Sequence, residues 1–202
     1  MPPANNANYA WIQHMIHHLA PNGKIGLVLA NGALSIQTGG EGDIRRKIIE
    51  DDLIEAIVAM PTQLFYSVTI PVTLWFITKN KKQKGKTLFI DARKMGFMVD
   101  RKHRDLSDDD IKLLAETVEK FQNGTLDDVK GFCAVATTEE IGKQDYILTP
   151  GRYVGIEEQE DDGEPFEEKM ARLTSELSEM FAKSHELEDE IREKLGAIGY
   201  DI

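Results

Sequence analysis

Cysteine is nearly absent from this sequence, and long apolar runs are missing. Cys133 is the single cysteine among 202 residues. It excludes an intrachain disulfide and any cysteine metal cluster, and it is consistent with a reducing compartment. No apolar run approaches the roughly 20 residues that span a bilayer. The opening residues, MPPANNANYAW, lack the charged and apolar regions of a signal peptide. These features together predict a globular protein of the cytoplasm.

Excess negative charge is missing from most of the chain and is concentrated in its last part. Residues 1–156 carry 19 acidic and 19 basic residues, whereas residues 157–202 carry 16 acidic and 5 basic ones. The last segment therefore accounts for the whole net charge of −11. An acidic chain is normally a poor partner for nucleic acid. Here that argument excludes phosphate contacts only for residues 157–202.

The spacing of apolar residues predicts alternating helices and strands up to residue 123. The predicted strands are residues 24–30, 53–60, 71–79 and 86–92. The predicted helices are residues 7–19, 43–52 and 107–123. One predicted face of the first helix carries Trp11, Met15, His18 and Leu19. The first strand, KIGLVLA, is a continuous apolar run, which is typical of a strand covered on both faces.

This order of helix, strand, helix, strand, strand is that of the second half of a doubly wound α/β sheet. The link between the second and third strands is too short for a crossover helix. We therefore expect that pair to form an antiparallel edge hairpin on an otherwise parallel sheet. The first strands of such a sheet, with their Gly-rich nucleotide loop, have no counterpart in the sequence. We expect a fragment of a longer protein or one half of a split protein.

The chain is predicted to have three parts: an α/β domain at 1–156, an acidic linker at 157–165 and a long amphipathic helix at 166–195. Along this helix, apolar residues recur at alternating spacings of four and three, which is the seam of a coiled coil. A seam this narrow needs a packing partner, so we expect another helix or a second copy of the chain to cover it. Packing on its own domain is the alternative. The apolar seam residues are Phe166, Met170, Leu173, Leu177, Met180, Leu187 and Ile191.

Four segments carry a resemblance to a known family: PPANNANYAWIQHMIHHLAPNGKIGLVLANGALS, GEGDIRRKIIEDDLIEAIVAMPTQLFYSVTIPVTLWFITK, LFIDARKMG and LTPGRYVG. They resemble the modification subunit of type I restriction-modification systems, an adenine-N6 DNA methyltransferase that uses S-adenosylmethionine. The resemblance covers most of residues 2–156 and implies the C-terminal portion of a Rossmann-like methyltransferase domain. It also implies DNA, a specificity subunit and a restriction subunit as partners of the intact subunit.

No residue of this chain is assigned a catalytic role. In the family, the Gly-rich cofactor motif and the catalytic Asn-Pro-Pro-Phe motif lie upstream of the first helix of this chain. Pro2-Pro3 imitates the catalytic motif, but Met1 stands where the Asn belongs and Ala4 where the aromatic belongs. The resemblance therefore implies that this chain alone binds no S-adenosylmethionine and is inactive. No metal site is expected either, because His14 and His18 have the spacing of metal ligands without an acidic residue to join them.

An aromatic pair, Phe65 and Tyr66, stands in the turn before the third strand. A DNA methyltransferase extrudes its target base into a pocket, and stacking on an aromatic ring stabilises the extruded base by about 1–3 kcal/mol. The resemblance implies that this segment contributes to that pocket, with Phe65 as the first choice and Tyr66 as the second. The alternative is that one ring packs beneath the hairpin.

Polar and basic residues at the ends of two strands are candidates for contacts with DNA. The first group follows the first strand and consists of Asn31, Ser35, Gln37 and Thr38. The second group follows the fourth strand and consists of Arg93, Lys94, Arg101, Lys102 and Arg104. The lysines of the loop KNKKQKGK we interpret instead as a guard against pairing at a sheet edge. The motif TPGRYVG, residues 149–155, we interpret as structural.

Two functions remain open at this point. In the first, the chain is the target-base half of an adenine methyltransferase. In the second, it is a non-catalytic assembly module that docks the methyltransferase on its specificity subunit. A fragment of another nucleotide-binding α/β enzyme is a weaker third possibility, because the sequence has no separate catalytic set.

Overall fold

The computed structural model describes residues 1–66, 69–156 and 165–200. The chain divides into two compact units, Met1–Glu158 and Gln159–Ile202, and each is described by itself. The predicted acidic linker, apart from Pro165, lies outside the described residues. Within the described ranges, no helix is long and apolar enough to cross a membrane.

The first unit is built from short helices and strands joined by tight turns. Its helices are α1 (Asn8–His18), α2 (Glu41–Glu50), α3 (Asp108–Asn123) and α4 (Thr138–Lys143). Its strands are β1 (Lys24–Ala30), β2 (Ile54–Ala59), β3 (Val72–Thr78), β4 (Lys86–Asp91), β5 (Phe97–Met98), β6 (Arg104–Asp105) and β7 (Cys133–Thr137). The helices and strands predicted up to residue 123 are confirmed to within two residues at each end.

Strands β1, β3, β2, β4 and β7 form one sheet in that order. Strand β3 is antiparallel to both β1 and β2, β2 is parallel to β4, and β4 is antiparallel to β7. The α/β class and the antiparallel pairing of β2 with β3 are therefore confirmed. The expected edge position of that hairpin is wrong, because β3 lies inside the sheet. In this position β3 is hydrogen-bonded to a neighbouring strand along both of its edges, and its residue Trp75 is completely buried.

Helices cover both faces of the sheet. Helices α1, α2 and α4 cover one face with Ile12, Ile48 and Ile141, and α3 covers the other with Phe121. Helix α3 begins at a capping box in which the Ser107 hydroxyl accepts the Asp110 N–H. The helices and the sheet form a three-layer domain. Because β1, β2 and β4 run in the same direction, their carboxyl ends lie at one edge of the sheet.

The predicted burial of α1 and β1 is wrong in detail. Helix α1 buries Tyr9 and Ile12, whereas Trp11 is 58% exposed. Its sequence contains two apolar stripes, and the contact with the sheet decides which one is buried. Strand β1 alternates between exposed and half-buried residues, and Val28 is 46% exposed. Among the described residues, β1 is therefore covered on one face only.

The second unit contains α5 (Phe166–Ala197), which confirms the predicted long C-terminal helix. None of its described residues is buried. Ion pairs at i, i+4 spacing, such as Arg172–Glu176, lie along its surface. The helix thus presents its apolar seam without cover.

Candidate functional site

Three loops meet at the carboxyl edge of the sheet. They follow β1 (residues 31–40), β2 (residues 60–71) and β4 (residues 92–103). Arg104, the first residue after the third loop, donates its N–H to the Gln63 carbonyl of the second loop at 2.8 Å. The strand order places β3 and β2 between β1 and β4. At about 4.8 Å per strand, the loops are spread over about 14 Å. This edge is where open α/β sheets bind their ligands.

The aromatic pair lies in the middle loop. Phe65 is 45% exposed and Tyr66 is 88% exposed, so neither ring packs in the core beneath the hairpin. The Tyr66 ring stacks on His103, with ring centroids 4.2 Å apart and an interplanar angle of 13°. Residues 67 and 68, which follow directly, lie outside the described residues. The edge thus presents two flat apolar surfaces to the outside, and one of them has a ring partner.

His103 belongs to a small hairpin that the sequence did not reveal. Strands β5 and β6 pair through only Phe97↔Asp105 and Met98↔Arg104. The Asp100 carboxylate accepts the N–H groups of Lys102 (2.7 Å) and His103 (2.9 Å), and these bonds hold the pKa of Asp100 below its ordinary value. Two-residue strands give no readable alternation. The Asp-x-x-His turn was the one available signal.

Gly96 is required where this hairpin begins. Its φ is +80°, and a Cβ at this position would lie 2.5 Å from the Asp105 carbonyl oxygen. The Arg104 guanidinium donates to the carbonyls of Met95 (3.0 Å) and Gly96 (3.2 Å). The β5–β6 hairpin is therefore held by specific contacts and fixes the side chain of His103 opposite Tyr66.

The loop after β1 is anchored from below by Arg45. This buried side chain donates to the carbonyls of Ile36 (2.6 Å) and Tyr146 (2.7 Å). Asn31 is half-buried, and its Oδ1 has no hydrogen-bond partner among the described residues. Ser35, Gln37 and Thr38 are exposed. These four candidates remain predictions as DNA contacts, on a loop whose backbone is fixed rather than free.

The five basic candidates after β4 have different surroundings. Arg93 forms a two-pronged ion pair with Asp91 at 2.6 and 2.8 Å, and this pairing raises the pKa of Arg93. Arg104 is turned into the hairpin. The side chains of Lys94, Arg101 and Lys102 are exposed. All five residues remain predictions as contacts with a phosphate backbone.

Two other segments singled out in the sequence have structural contacts. In the loop after β3, Lys81 is 4% exposed and pairs with Asp52 at 2.5 Å. The interpretation of this loop as an exposed guard is therefore wrong for Lys81. In the motif TPGRYVG, Tyr153 stacks on Phe89 at 3.9 Å and Val154 is buried, which agrees with a structural role. Burial of the Tyr153 hydroxyl raises the pKa of Tyr153 to about 12.

The histidines of α1 interact with their own helix. His18 Nδ1 lies 2.9 Å from the His14 carbonyl oxygen, and their rings are 4.3 Å apart. Across the described ranges, no group of three or more His, Cys, Asp or Glu residues is placed to hold a metal ion.

Gly39 and Gly42 flank the start of α2, where missing side chains could leave room for S-adenosylmethionine. A Cβ on Gly39 would lie 2.8 Å from Pro3, and a Cβ on Gly42 would lie 1.9 Å from Gln37 Oε1. Other residues of the chain therefore occupy the space beside these two glycines. The start of α2 offers no open cradle for the cofactor, and Pro3 packs against Gly39.

The fold and its carboxyl edge are those of an α/β methyltransferase domain. The methyltransferase subunit of a type I restriction-modification system from Streptococcus thermophilus has a similar structure, with a TM-score of 0.70 and 28% identity over 78% of this chain and 32% of that one. The profile of the N-6 DNA Methylase family matches residues 1–162. This chain belongs to that family, which confirms the resemblance inferred from its motifs.

Relatives of known type cover nearly the whole chain. The type I restriction enzyme HindI methylase subunit of Haemophilus influenzae is 56% identical over 99% of this chain and 45% of its own length. The MjaIX methylase subunit of Methanocaldococcus jannaschii is 47% identical over 99% of this chain and 36% of its own length. The chain thus spans less than half the length of these relatives.

Proposed function

We propose that this chain supplies the target-base pocket, DNA contacts and a docking helix to an adenine-N6 DNA methyltransferase subunit of a type I restriction-modification complex. The intact subunit transfers a methyl group from S-adenosylmethionine to adenine in DNA. The observation that carries this proposal is the exposed pair Phe65 and Tyr66 at the carboxyl edge, in a chain of the N-6 DNA Methylase family. Because the proposed substrate is DNA, we also propose that the protein acts in the cytoplasm.

An extruded adenine needs a flat apolar surface and a neighbouring source of positive charge. Phe65 and Tyr66 offer the surface, because large rings are costly to leave in water unless something covers them. Lys94, Arg101 and Lys102 lie on the adjacent loop and carry the charge that attracts the duplex backbone. In this arrangement the basic residues first attract the DNA duplex to the protein, and the aromatic rings then stack on the extruded base.

The chain does not supply the whole reaction. The catalytic Asn-Pro-Pro-Phe motif is absent from it, and the start of α2 offers no open cradle for S-adenosylmethionine. We propose that both functions belong to other parts of the intact subunit. We propose that those parts contact this chain at the neighbouring ends of β2 and β4, at Ala59 and Asp91, and complete the active site there.

Docking on a specificity subunit is the second proposed role, and α5 supports it. The seam residues of this helix are between 43% and 76% exposed, and Leu177 is the central one of the seven. A row of half-exposed apolar side chains on an acidic helix gains stability from a partner helix. The partner is a helix of the specificity subunit, and the restriction subunit joins the same complex. Self-association through α5 is the alternative in the absence of that partner.

Replacing Phe65 by alanine in the intact subunit, assembled with its partners, tests the pocket. A fluorescent base analogue at the target position reports extrusion, and methyl transfer is measured in parallel. We expect extrusion and turnover to fall about fivefold or more, because a stacked base is stabilised by about 1–3 kcal/mol. Duplex affinity should stay within about twofold. Unchanged fluorescence together with unchanged turnover would leave Phe65 as a packing residue and remove the pocket proposal.

A further inference from the structure

The β5–β6 hairpin is joined to the aromatic loop at two adjacent points. Arg104 N–H donates to the Gln63 carbonyl at 2.8 Å. One residue earlier, the His103 ring stacks on Tyr66 with centroids 4.2 Å apart. The two contacts fix both the spacing of the loops and the plane of the phenol ring.

The backbone of His103 is held on both sides. Its N–H donates to the Asp100 carboxylate at 2.9 Å, and its carbonyl accepts the Val99 N–H at 2.9 Å. These bonds close the turn of the hairpin and fix the backbone from which the imidazole projects. The orientation of the ring itself is given by its stack with Tyr66.

Tyr66 is stacked and nevertheless 88% exposed. Both observations hold together when one face of the ring is covered by His103 and the opposite face is open. An aromatic ring held from behind is a better stacking surface than a free one, because less rotamer freedom is lost when a base arrives.

We propose that His103 is a positioning residue of the target-base pocket: it stacks behind Tyr66 and holds that ring so that its open face receives the extruded base. This inference rests on the proposed function and adds a residue and a hairpin to it. The stacking energy of an aromatic pair favours the stacked conformation of Tyr66 over unstacked ones by about two- to tenfold. We expect loss of the His103 ring to lower base extrusion by the same factor.

The test compares His103→Ala, His103→Phe and His17→Ala in the intact subunit assembled with its partners. The readouts are base extrusion by a fluorescent adenine analogue, kcat for methyl transfer and duplex affinity. His103→Ala should lower extrusion and kcat about two- to tenfold while duplex affinity stays within twofold. His103→Phe restores the stack and should return extrusion and kcat to the values of the parent protein. His17→Ala makes the same chemical change at an exposed position of α1 and should leave all three readouts unchanged.

Two results would overturn the proposal. Increased extrusion in His103→Ala would mean that the imidazole occupies the face meant for the base. Failure of His103→Phe to rescue a defective His103→Ala protein would mean that the ring stack is not what the pocket needs.

A nuclear magnetic resonance arm separates this proposal from the function on which it rests. In this chain, the ring protons of His103 should show an upfield ring-current shift that is lost in Tyr66→Ala. If the parent subunit neither extrudes nor methylates adenine, the proposed function fails while the shift still reports the stack. If the shift is missing from the parent chain, the positioning role fails whatever the enzyme does.

Discussion

Lys81 is a buried charged residue that forms an ion pair with Asp52. Its side chain is nearly fully buried, and its ammonium group lies 2.5 Å from Asp52 Oδ1. Burial lowers the pKa of Lys81, and the Asp52 carboxylate opposes that effect. The second oxygen of Asp52 accepts the Gly85 N–H at 2.9 Å. One carboxylate therefore holds the loop after β3 against the end of α2.

Asp52→Asn should lower the free energy of unfolding at pH 7 by about 3 kcal/mol, because it leaves a buried ammonium group without its counter-charge. Asparagine tolerates the positive φ of 56° at this position, so backbone strain does not confuse the result. Urea denaturation measures the change. Asp51→Asn makes the same chemical change at an exposed neighbour and should cost less than about 0.5 kcal/mol. Equal effects at both positions would refute the role of the pair.

The same variant should depend on pH with a definite sign. Without the carboxylate, the folded-state pKa of Lys81 falls further below its unfolded value near 10.4. The folded state then binds fewer protons than the unfolded state, so its stability rises with pH in that window. The deficit of Asp52→Asn relative to the parent should therefore shrink between pH 7 and pH 9.5 in the same urea measurement. A deficit that stays constant would show that Lys81 is not the group left unpaired.

Sequence patterns could not distinguish Lys81 from its neighbours in KNKKQKGK. The partner Asp52 is 29 positions away, and burial of one lysine in five depends on a tertiary contact. His103 was missed for the same reason, since the stack with Tyr66 joins residues from two loops. The aromatic pair itself was found, because two large rings in a turn are unusual without any knowledge of contacts.

At the scale of elements, local sequence patterns were sufficient to predict where the strands lie in the chain. They were insufficient to predict the order of the strands in the sheet. The short link after β2 predicted antiparallel pairing with β3, and the ladder has that pairing. The insertion of β3 between β1 and β2 depends on a second ladder, from Lys24↔Thr78 to Ala30↔Val72, between strands far apart in the chain. Both ladders suit an apolar strand equally well, so periodicity alone does not choose between an edge and the interior.

Helix α5 yields a prediction about its seam. Leu177→Glu places a charge in the middle of the seam and should abolish assembly of the intact subunit with its specificity subunit. Ala182→Glu places the same charge on the opposite side of the helix and should leave assembly unchanged. Co-purification at defined stoichiometry measures both. Deleting residues 160–202 should have the effect of Leu177→Glu while the α/β unit keeps its cooperative thermal unfolding. Normal stoichiometry in the truncated subunit would make α5 a local brace.

At the scale of the whole molecule, one face of the sheet retains uncovered apolar surface. Val28 is 46% exposed on β1, and Leu74, Phe76 and Leu114 line a hollow of about 360 Å³ between the sheet and α3. Within the described residues, β1 is hydrogen-bonded to a strand on one side only. These uncovered surfaces indicate that the α/β unit gains stability from further packing.

This incompleteness leads to the expectation that the chain by itself neither binds S-adenosylmethionine nor methylates DNA. Pro3 and Gln37 occupy the space beside Gly39 and Gly42, and no Asn-Pro-Pro-Phe motif is present to bind the adenine amine. Isothermal titration with S-adenosylmethionine should give no heat of binding at micromolar concentrations, and methyl transfer to duplex DNA should stay at background. The intact subunit, titrated under the same conditions, is the matched control and should bind. A micromolar dissociation constant for this chain alone would mean that its residues form a cofactor site without the rest of the subunit, and the assignment of cofactor binding to other parts would then be wrong.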